Sequence, residues 1–583
     1  MRSFRLSALA VLSASLLVGL MIGCGGETTT EIVEKEVIVE KEVIKEVEVI
    51  KEVPVIKEVP VEVEKVVEKI VEKIVVATPV PAPIRIEELI LTQTGNPVCL
   101  GADCASSVDE MDIMTQFTEP LMLLDPDNNM IAWLAESLVM STPADWTMTL
   151  RQGVKFHESA YGEMTAKDVI ASYYHDTREG TANRKRVPTS MQNAVLTAPD
   201  GDDGYVVHWA LEGDGTASLP NHLAAMRTVV TAKGYIEVVG EQTSRHPMGT
   251  GPFVFQQWQP NVKITGTRFD DYWRGAPPIQ KVVWKIIPDA FTRKQELMTG
   301  GAHILRALEP DSFDEVNNNK GTRAVSVLSS RYVYVVLDVD EAPFDNQKFR
   351  QALNYAVNKQ EIVDTLFSGF GAAAVNGVVH PFLCENDGTP PVYQYDLAKA
   401  KSLIAEAKAE GAPVDDVIKL YAPNDRYVLD KETGEAVLGY WKAAGLNVEY
   451  YPQSRSILFP LALRSFTEYK ADIDGPFLIG NGNGLARAEF PFELWLENKD
   501  GGRGRAFASP HPASWEENLD KARLLASCSD ESKALLTEMN NEVVDFAPWV
   551  FLVNFNDLYG VSEEIEWRPW STEIRMLYEV DLK

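Results

Sequence analysis

The chain has 583 residues, 45% of them hydrophobic and 24% charged, with a formal net charge of −30. That composition is globular, and the length allows more than one core. So acidic a chain excludes a nucleic-acid partner, because phosphate binding needs a basic surface.

Arg2 and Arg5 precede an apolar run, Leu6 to Ile22, which is followed by Gly23-Cys24-Gly25-Gly26. A charged start, an apolar core and a small residue at the cut describe a secretory signal over residues 1–23, and a cysteine directly after it has the look of a lipobox. The run is short for a membrane span of ~20 residues. Lipid-modified Cys24 is therefore the expected mature N-terminus, with the rest of the chain outside the cytoplasm, in the periplasm or at the cell surface.

Residues 24–83 read as a stalk. Glu31 to Val76 is built mainly from Glu, Lys, Val and Ile and contains the repeat KEVPVIKEVPVE. Pro54 and Pro60 exclude a continuous helix. Val63, Val67, Ile70 and Ile74 fall at heptad-like spacing, which allows a short helix or coiled coil. Without aromatic residues to build a core, a solvated spacer with no fixed fold is the preferred reading. Pro79, Pro81 and Pro83 stiffen its end.

Beyond Cys24 the cysteines are Cys99, Cys104, Cys384 and Cys528. An exported compartment permits disulfides. Cys99–Cys104 would close a local loop and Cys384–Cys528 a long one, although sequence alone does not fix connectivity. They lack a CxxC or histidine-pair spacing, and the eight histidines are scattered, so no metal or cofactor is expected.

The body begins at Ile84 with a strand signal, IEELILTQTGNP. The later DPDNN run has Glu136 at the twelfth position from Asp125, as in a calcium loop. Met130 stands where that loop needs glycine, so a plain turn is expected. Trp146, Thr149, Leu150, Arg151, Gly153, Val154, Lys155, Phe156 and His157 follow in one run, whose residues each suit a structural role, with His157 in a turn. Thr165 and Asp168 then suit a capping box on a helix whose apolar face carries Val169 and Tyr173. His157 reads as a packed or surface residue. Asp200-Gly201-Asp202-Asp203-Gly204 lies between alternating runs and predicts a hairpin. In Met248 to Phe253, MGTGPF, the glycines permit positive φ and Pro252 fixes the turn. Arg268, Tyr272, Trp273, Arg274, Gly275, Pro277 and Val282 follow, then LMTGGAHI with His303. Val325 to Val339 is β-rich, with Tyr332 and Tyr334 on one face.

Phe349, Leu353, Ala356 and Val357 then make one helical apolar face, capped by Asn346. Asn358 caps a second helix with Glu361 three residues on, and Gly369 and Gly371 end it. Arg350, Ala352, Ala356, Asn358-Lys359, Ile362, Gly369, Gly371 and Pro381 together resemble the bacterial extracellular solute-binding proteins of family 5, the peptide- and nickel-binding receptors of ABC importers. The LDPDN…LAES, WTMTLRQGVKFH, GTGPF and YWRG segments are similar to that family's motifs, in family order, over about Ile84 to Lys583. His303 stands where the family has an acid.

The resemblance implies an α/β, two-lobe periplasmic-binding-protein fold of type II, the Venus-flytrap form, with an extra subdomain in the first lobe. Lobe I would span 84–335 with the subdomain at about 131–245, lobe II 336–545, and the return to lobe I 546–583. It implies ligand capture by hinge closure between the lobes, a permease partner, a monomeric receptor, and no chemistry. The sequence has no Walker A motif, so a separate ATPase would drive transport. The alternatives are a stalked cell-surface protein and a hydrolase; no G-x-S-x-G nucleophile motif supports the latter.

Peptide-binding relatives hold the ligand's amino group with an acid in a W-x-x-D-Y-x-D-P-like loop. The corresponding stretch here starts at Ala471, with Asp472 matching the early acid and Asp474 nearby. The later acid is missing, and Asn481 and Asn483 lie near its place. Tyr332, Tyr334, Phe477 and Trp495 could form apolar walls. Amides serve neutral hydroxyls and carbonyls, so a polar, uncharged or oligosaccharide-like ligand is expected at least as readily as a peptide.

Overall fold

The computed structural model describes residues 85–583 except 106, 185, 226–227, 375–376, 382, 387–392, 425–427, 455–456, 459–472, 483–486 and 496–511, together with four strands before residue 78. Those four strands pair as Thr30–Glu34 with Lys73–Ala77 and Val37–Glu40 with Val67–Ile70, all antiparallel. The stalk was expected to have no fixed fold. The β-branched Val and Ile content of these four segments suits strands instead.

Residues 82–583 form a second unit, built around one 11-stranded sheet. Lys281–Ile286, Leu89–Gln93 and Ile304–Arg306 lie side by side and parallel. The hairpin Phe253–Gln259 and Lys263–Arg268 extends one edge. Two long antiparallel strands, Thr322–Val336 and Trp549–Ser562, run from this part of the sheet into the next. There the order continues through Phe477–Gly482, Ile418–Pro423 and Val448–Gln453. The crossing strands thus belong to both lobes.

The extra subdomain is a four-stranded antiparallel sheet in the order Val195–Thr197, Val206–Ala210, Asp145–Leu150, Ala135–Thr142. The predicted hairpin is present, as is the capping box of Thr165 and Asp168 at helix Ala166–Asp176. Trp133, Trp209, Met148, Leu150, Val169 and Tyr173 fill its core. Asp125 accepts from the backbone N–H of Asp127 and Asn129 (both 2.8 Å), which makes the DPDNN run the plain turn expected of it.

One buried carboxylate gathers several of the sequence motifs. Glu119 accepts from Trp133 Nε1 (2.9 Å), Thr250 Oγ1 (2.7 Å), Tyr272 OH (2.8 Å) and Trp273 Nε1 (3.1 Å). Burial pushes its carboxyl up to about 7 despite these four donors. Arg274 lies over the Trp133 ring at 4.5 Å and over the Tyr578 ring at 4.9 Å. Gly249 and Gly251 are needed here for a different reason from the one expected. Neither has positive φ. A Cβ on Gly251 would lie 2.6 Å from the Gln116 carbonyl oxygen, and one on Gly249 2.8 Å from that of Phe117, so close backbone approach is the constraint.

In lobe II, Asn346 accepts from Phe349 N and Asn358 from Glu361 N, as the spacing predicts. Arg350 is buried and donates to the carbonyls of Phe546 and Phe344, which fixes its helix to the start of the return strand. Burial lowers its guanidinium to about 10. Lys359 is also buried, donating to the carbonyls of Asn354 and Tyr393, and burial alone lowers its amine to about 7. His303, which replaces an acid, serves as an acceptor through Nδ1 for the Ile90 N–H at 3.0 Å. Cys99–Cys104 and Cys384–Cys528 are the two disulfides. The second closes a loop with a sequence separation of 144; constraining a loop of that size is worth on the order of 4–5 kcal/mol in the loop-entropy account.

His157 packs its ring edge-on to Phe269 and bridges the glycine loop, with Nε2 2.9 Å from the Gly251 carbonyl and Nδ1 3.4 Å from Gly249 N. Burial lowers its imidazole to about 4, against the pull of the Gly251 carbonyl. The unfolded chain takes up this proton near pH 6.5, the folded chain near 4, so the stability is present above 6.5 and lost as pH falls towards 4. His157→Gln keeps a donor and an acceptor but does not titrate. Urea unfolding at pH 7 and pH 4.5 should show a smaller acid loss in His157→Gln than in the wild type, by about 1–2 kcal/mol. Equal losses in both would exclude this role.

Candidate functional site

In an open α/β sheet, ligands bind beyond the carboxyl ends of the parallel strands. Here that edge is where Leu89–Gln93 and Ile304–Arg306 end beside the crossing strands. It carries a mixed-charge network. Arg306, the last residue of its strand, bonds Asp109 at 2.8 Å and Glu573 at 2.8 Å. Arg331, on the first crossing strand, also pairs with Glu573. Next to these, Arg575 holds Asp112 through its backbone N–H (2.7 Å) and Nε (2.8 Å) and donates to Gln93 Oε1 (3.2 Å).

Exposure within the network is graded. Arg575, Asp112 and Glu573 are fully buried, whereas the side chains of Asp109 and Arg331 keep 33% and 16% of their surface. The first group is scaffold and the second faces outward. Burial raises the Glu573 carboxyl above the usual carboxylate range, and Asp557 adds to this against the pull of Arg331 and Arg306. Taking one partner from such a cluster leaves a buried charge uncompensated, at a cost of about 3–5 kcal/mol.

The first crossing strand changes register against its partner between Leu328 and Tyr332. Ser329 and Ser330, in that irregularity, are buried. Gly482, opposite Arg331 on the neighbouring strand, leaves room for it; a Cβ there would lie 3.4 Å from Arg331 Cγ. His380 bonds the Arg331 backbone, and burial lowers its imidazole to about 4. The lobe junction is therefore polar, of both charge signs, and crowded with groups held in place by their neighbours.

The residues expected at the site fall elsewhere or beyond what is described. Tyr332 and Tyr334 stack at 5.3 Å, and Tyr334 rests on Trp549. With buried Phe477 they belong to the core between the sheet and the helices Phe490–Trp495, Ala513–Leu524 and Asp530–Phe546. Asp474 pairs with Lys419 and accepts from Tyr421 OH at 2.8 Å. It precedes Phe477, which is opposite Val336, whereas Gly482 is opposite Arg331. Asp474 thus sits at the end of its strand away from the junction. Asp472 and Asn483, like Cys24, lie outside the described residues, and so do the side chains of Asn481 and Trp495. Sequence reasoning missed Asp109, Arg306, Arg331 and Glu573. The one available signal was a charge set directly after or inside an apolar strand, as in ILR and SSRYVYVV.

Residues 129–499 match the family described as bacterial extracellular solute-binding proteins, family 5 Middle. The glutathione-binding protein GsiB of Salmonella paratyphi A is 31% identical over 297 residues, 51% of this chain and 56% of that protein. Heme-binding protein A of Haemophilus influenzae is 28% identical over 338 residues, 54% of this chain and 60% of that protein. The chain thus spans little more than half the length of these relatives. In structure, the oligopeptide-binding protein AppA of Bacillus subtilis in complex with a nonapeptide superposes with a TM-score of 0.71 at 20% identity, covering 86% of this chain and 100% of AppA. NikA of Staphylococcus aureus in complex with Ni(L-His)2 gives 0.68 at 15% identity, covering 85% and 100%. These likenesses agree with the two-lobe α/β fold. The chain belongs to the bacterial extracellular solute-binding proteins, family 5, whose members bind solutes and are not enzymes.

Proposed function

We propose that this protein is the substrate-binding lipoprotein of an ABC importer, capturing a short peptide or other small polar solute between its lobes and delivering it to a membrane permease. The observation that carries this reading is the mixed-charge lobe junction, where Asp109 and Arg331 keep exposed surface while their partners are buried. A cation leaving water needs a carboxylate nearby, and a carboxylate is well met by a guanidinium. Both lie on one edge, which suits a zwitterion. Family relatives named for glutathione, heme and peptides keep a neutral polar solute in view as well.

Capture works by population shift: a solute that touches both lobes binds the closed form better and so favours it. Among the described residues, no helix is long and apolar enough to cross a membrane. Attachment is assigned to Cys24, with the stalk as spacer and a separate ATPase as the energy source. The chain acts as a monomer, because each copy carries both lobes of its cleft.

Two expectations follow. In a lipoprotein-processing host the protein should partition with membranes and carry acyl chains; if Cys24→Ser changes neither, the anchor is misassigned. Calorimetry against mixed di- to pentapeptide and mixed oligosaccharide libraries should identify a binder that stabilises the protein by about 2.7 kcal/mol at hundredfold excess over Kd and compacts it in small-angle scattering. Asp109→Asn or Arg331→Met should weaken that binder at least tenfold, whereas Asp474→Asn should not. Loss of binding only in Asp474→Asn would move the site to the loop and away from the junction.

A further inference from the structure

A second contact joins the lobes far along the chain from the crossing strands. His222, on helix Leu219–Ala224 of the extra subdomain, is fully buried, and its Nε2 lies 2.6 Å from Arg487 Nη1 of lobe II. Arg487 is itself fully buried. Its Nε bonds Glu489 at 2.8 Å and its Nη2 bonds Glu493 at 3.0 Å. Arg523 Nε bonds the same Glu493 oxygen at 3.0 Å. Beside this cluster the Arg523 carbonyl accepts from the Ala217 N–H at 2.8 Å and from Thr216 Oγ1 at 3.2 Å, both from the subdomain.

The chemistry of these groups is directional. A guanidinium has donors only, so His222 Nε2 must accept, which requires a neutral imidazole there. Two arginines and two glutamates of lobe II already pair among themselves. Among the described residues, parting the lobes leaves that set together and breaks the hydrogen bonds of His222, Ala217 and Thr216 that cross. Such a contact holds well when formed and strands no unpaired charge when broken, as a reversible closure demands.

We propose that His222, Arg487 and the Arg523 carbonyl form a latch that completes lobe closure at the extra subdomain, so that these residues help set the open–closed balance. The proposal rests on the two-lobe binding reading given above, but its test needs no ligand. The Ala217 amide belongs to lobe I and its acceptor to lobe II, so its hydrogen exchange reports latch opening in the unmodified protein. The substitution Arg487→Lys, in lobe II, keeps a cation for Glu489 and Glu493 but loses the Nη1 donor, and should speed exchange of the segment around Ala217 about tenfold, the effect of losing one charge-assisted hydrogen bond. Exchange in strand Asp145–Leu150 of the same subdomain should stay unchanged. Reciprocally, His222→Leu should raise exchange around Arg487 to Glu493, and His222→Gln, which retains an acceptor, should restore most of the protection. Unchanged exchange in both directions overturns the proposal, as does a change confined to the lobe that carries the substitution. A working latch alongside failure of every solute to bind would overturn the transport reading and leave the latch standing.

Discussion

Two antiparallel strands belong to both lobes at once, and the rest of the body is arranged around that constraint. Their ladder runs from Thr322 opposite Ser562 to Val336 opposite Trp549. At one end Tyr559 and Val561 enter the lobe I core. At the other, alternate residues enter opposite faces of lobe II, Val333, Val335, Val550 and Leu552 on one side and Tyr332, Tyr334, Trp549 and Phe551 on the other. A backbone shared in this way cannot slide, because a slip of one residue would turn each core side chain to the wrong face. It can bend where its pairing is already irregular, between Leu328 and Tyr332, since a bulge disrupts the ladder locally and kinks the strand. The charged junction of Arg306, Arg331 and Glu573 stands beside that point.

Much of the fold was legible in the sequence because its signals are local. Caps at Asn346, Asn358 and Thr165, the hairpin after Val195, and the crossing strand near Val325 depend on residues a few positions apart. Several motif residues also proved to have a structural reason that spacing alone could not supply. Tyr272, Trp273 and Thr250 converge on Glu119, and Arg350 reaches the carbonyl of Phe546.

The candidate site was poorly legible for the opposite reason. Arg331 and Glu573 are 242 positions apart, and no periodicity links them. An arginine inside an apolar strand run reads as an interruption until its partner is known. Tyr332 and Tyr334 were correctly placed on one face, but that face belongs to the lobe II core. Asp474 looked like a ligand-binding acid from its place in a motif, yet two residues separate it from the strand that starts at Phe477, and Lys419 and Tyr421 occupy it there.

The electrostatics divide between permanent and exchangeable contacts. Arg575–Asp112 and Arg306–Glu573 are buried within one lobe and its return segment, whereas the Arg331 and Asp109 side chains keep part of their surface, which is where the proposal places the solute. A receptor built this way should carry its solute through purification. Native mass spectrometry of the protein isolated without added ligand tests that directly. The account predicts a population heavier by one small polar molecule, which dissociates on denaturation and can be identified by fragmentation. A single bare mass under native conditions, together with no binder in either library, would contradict the account.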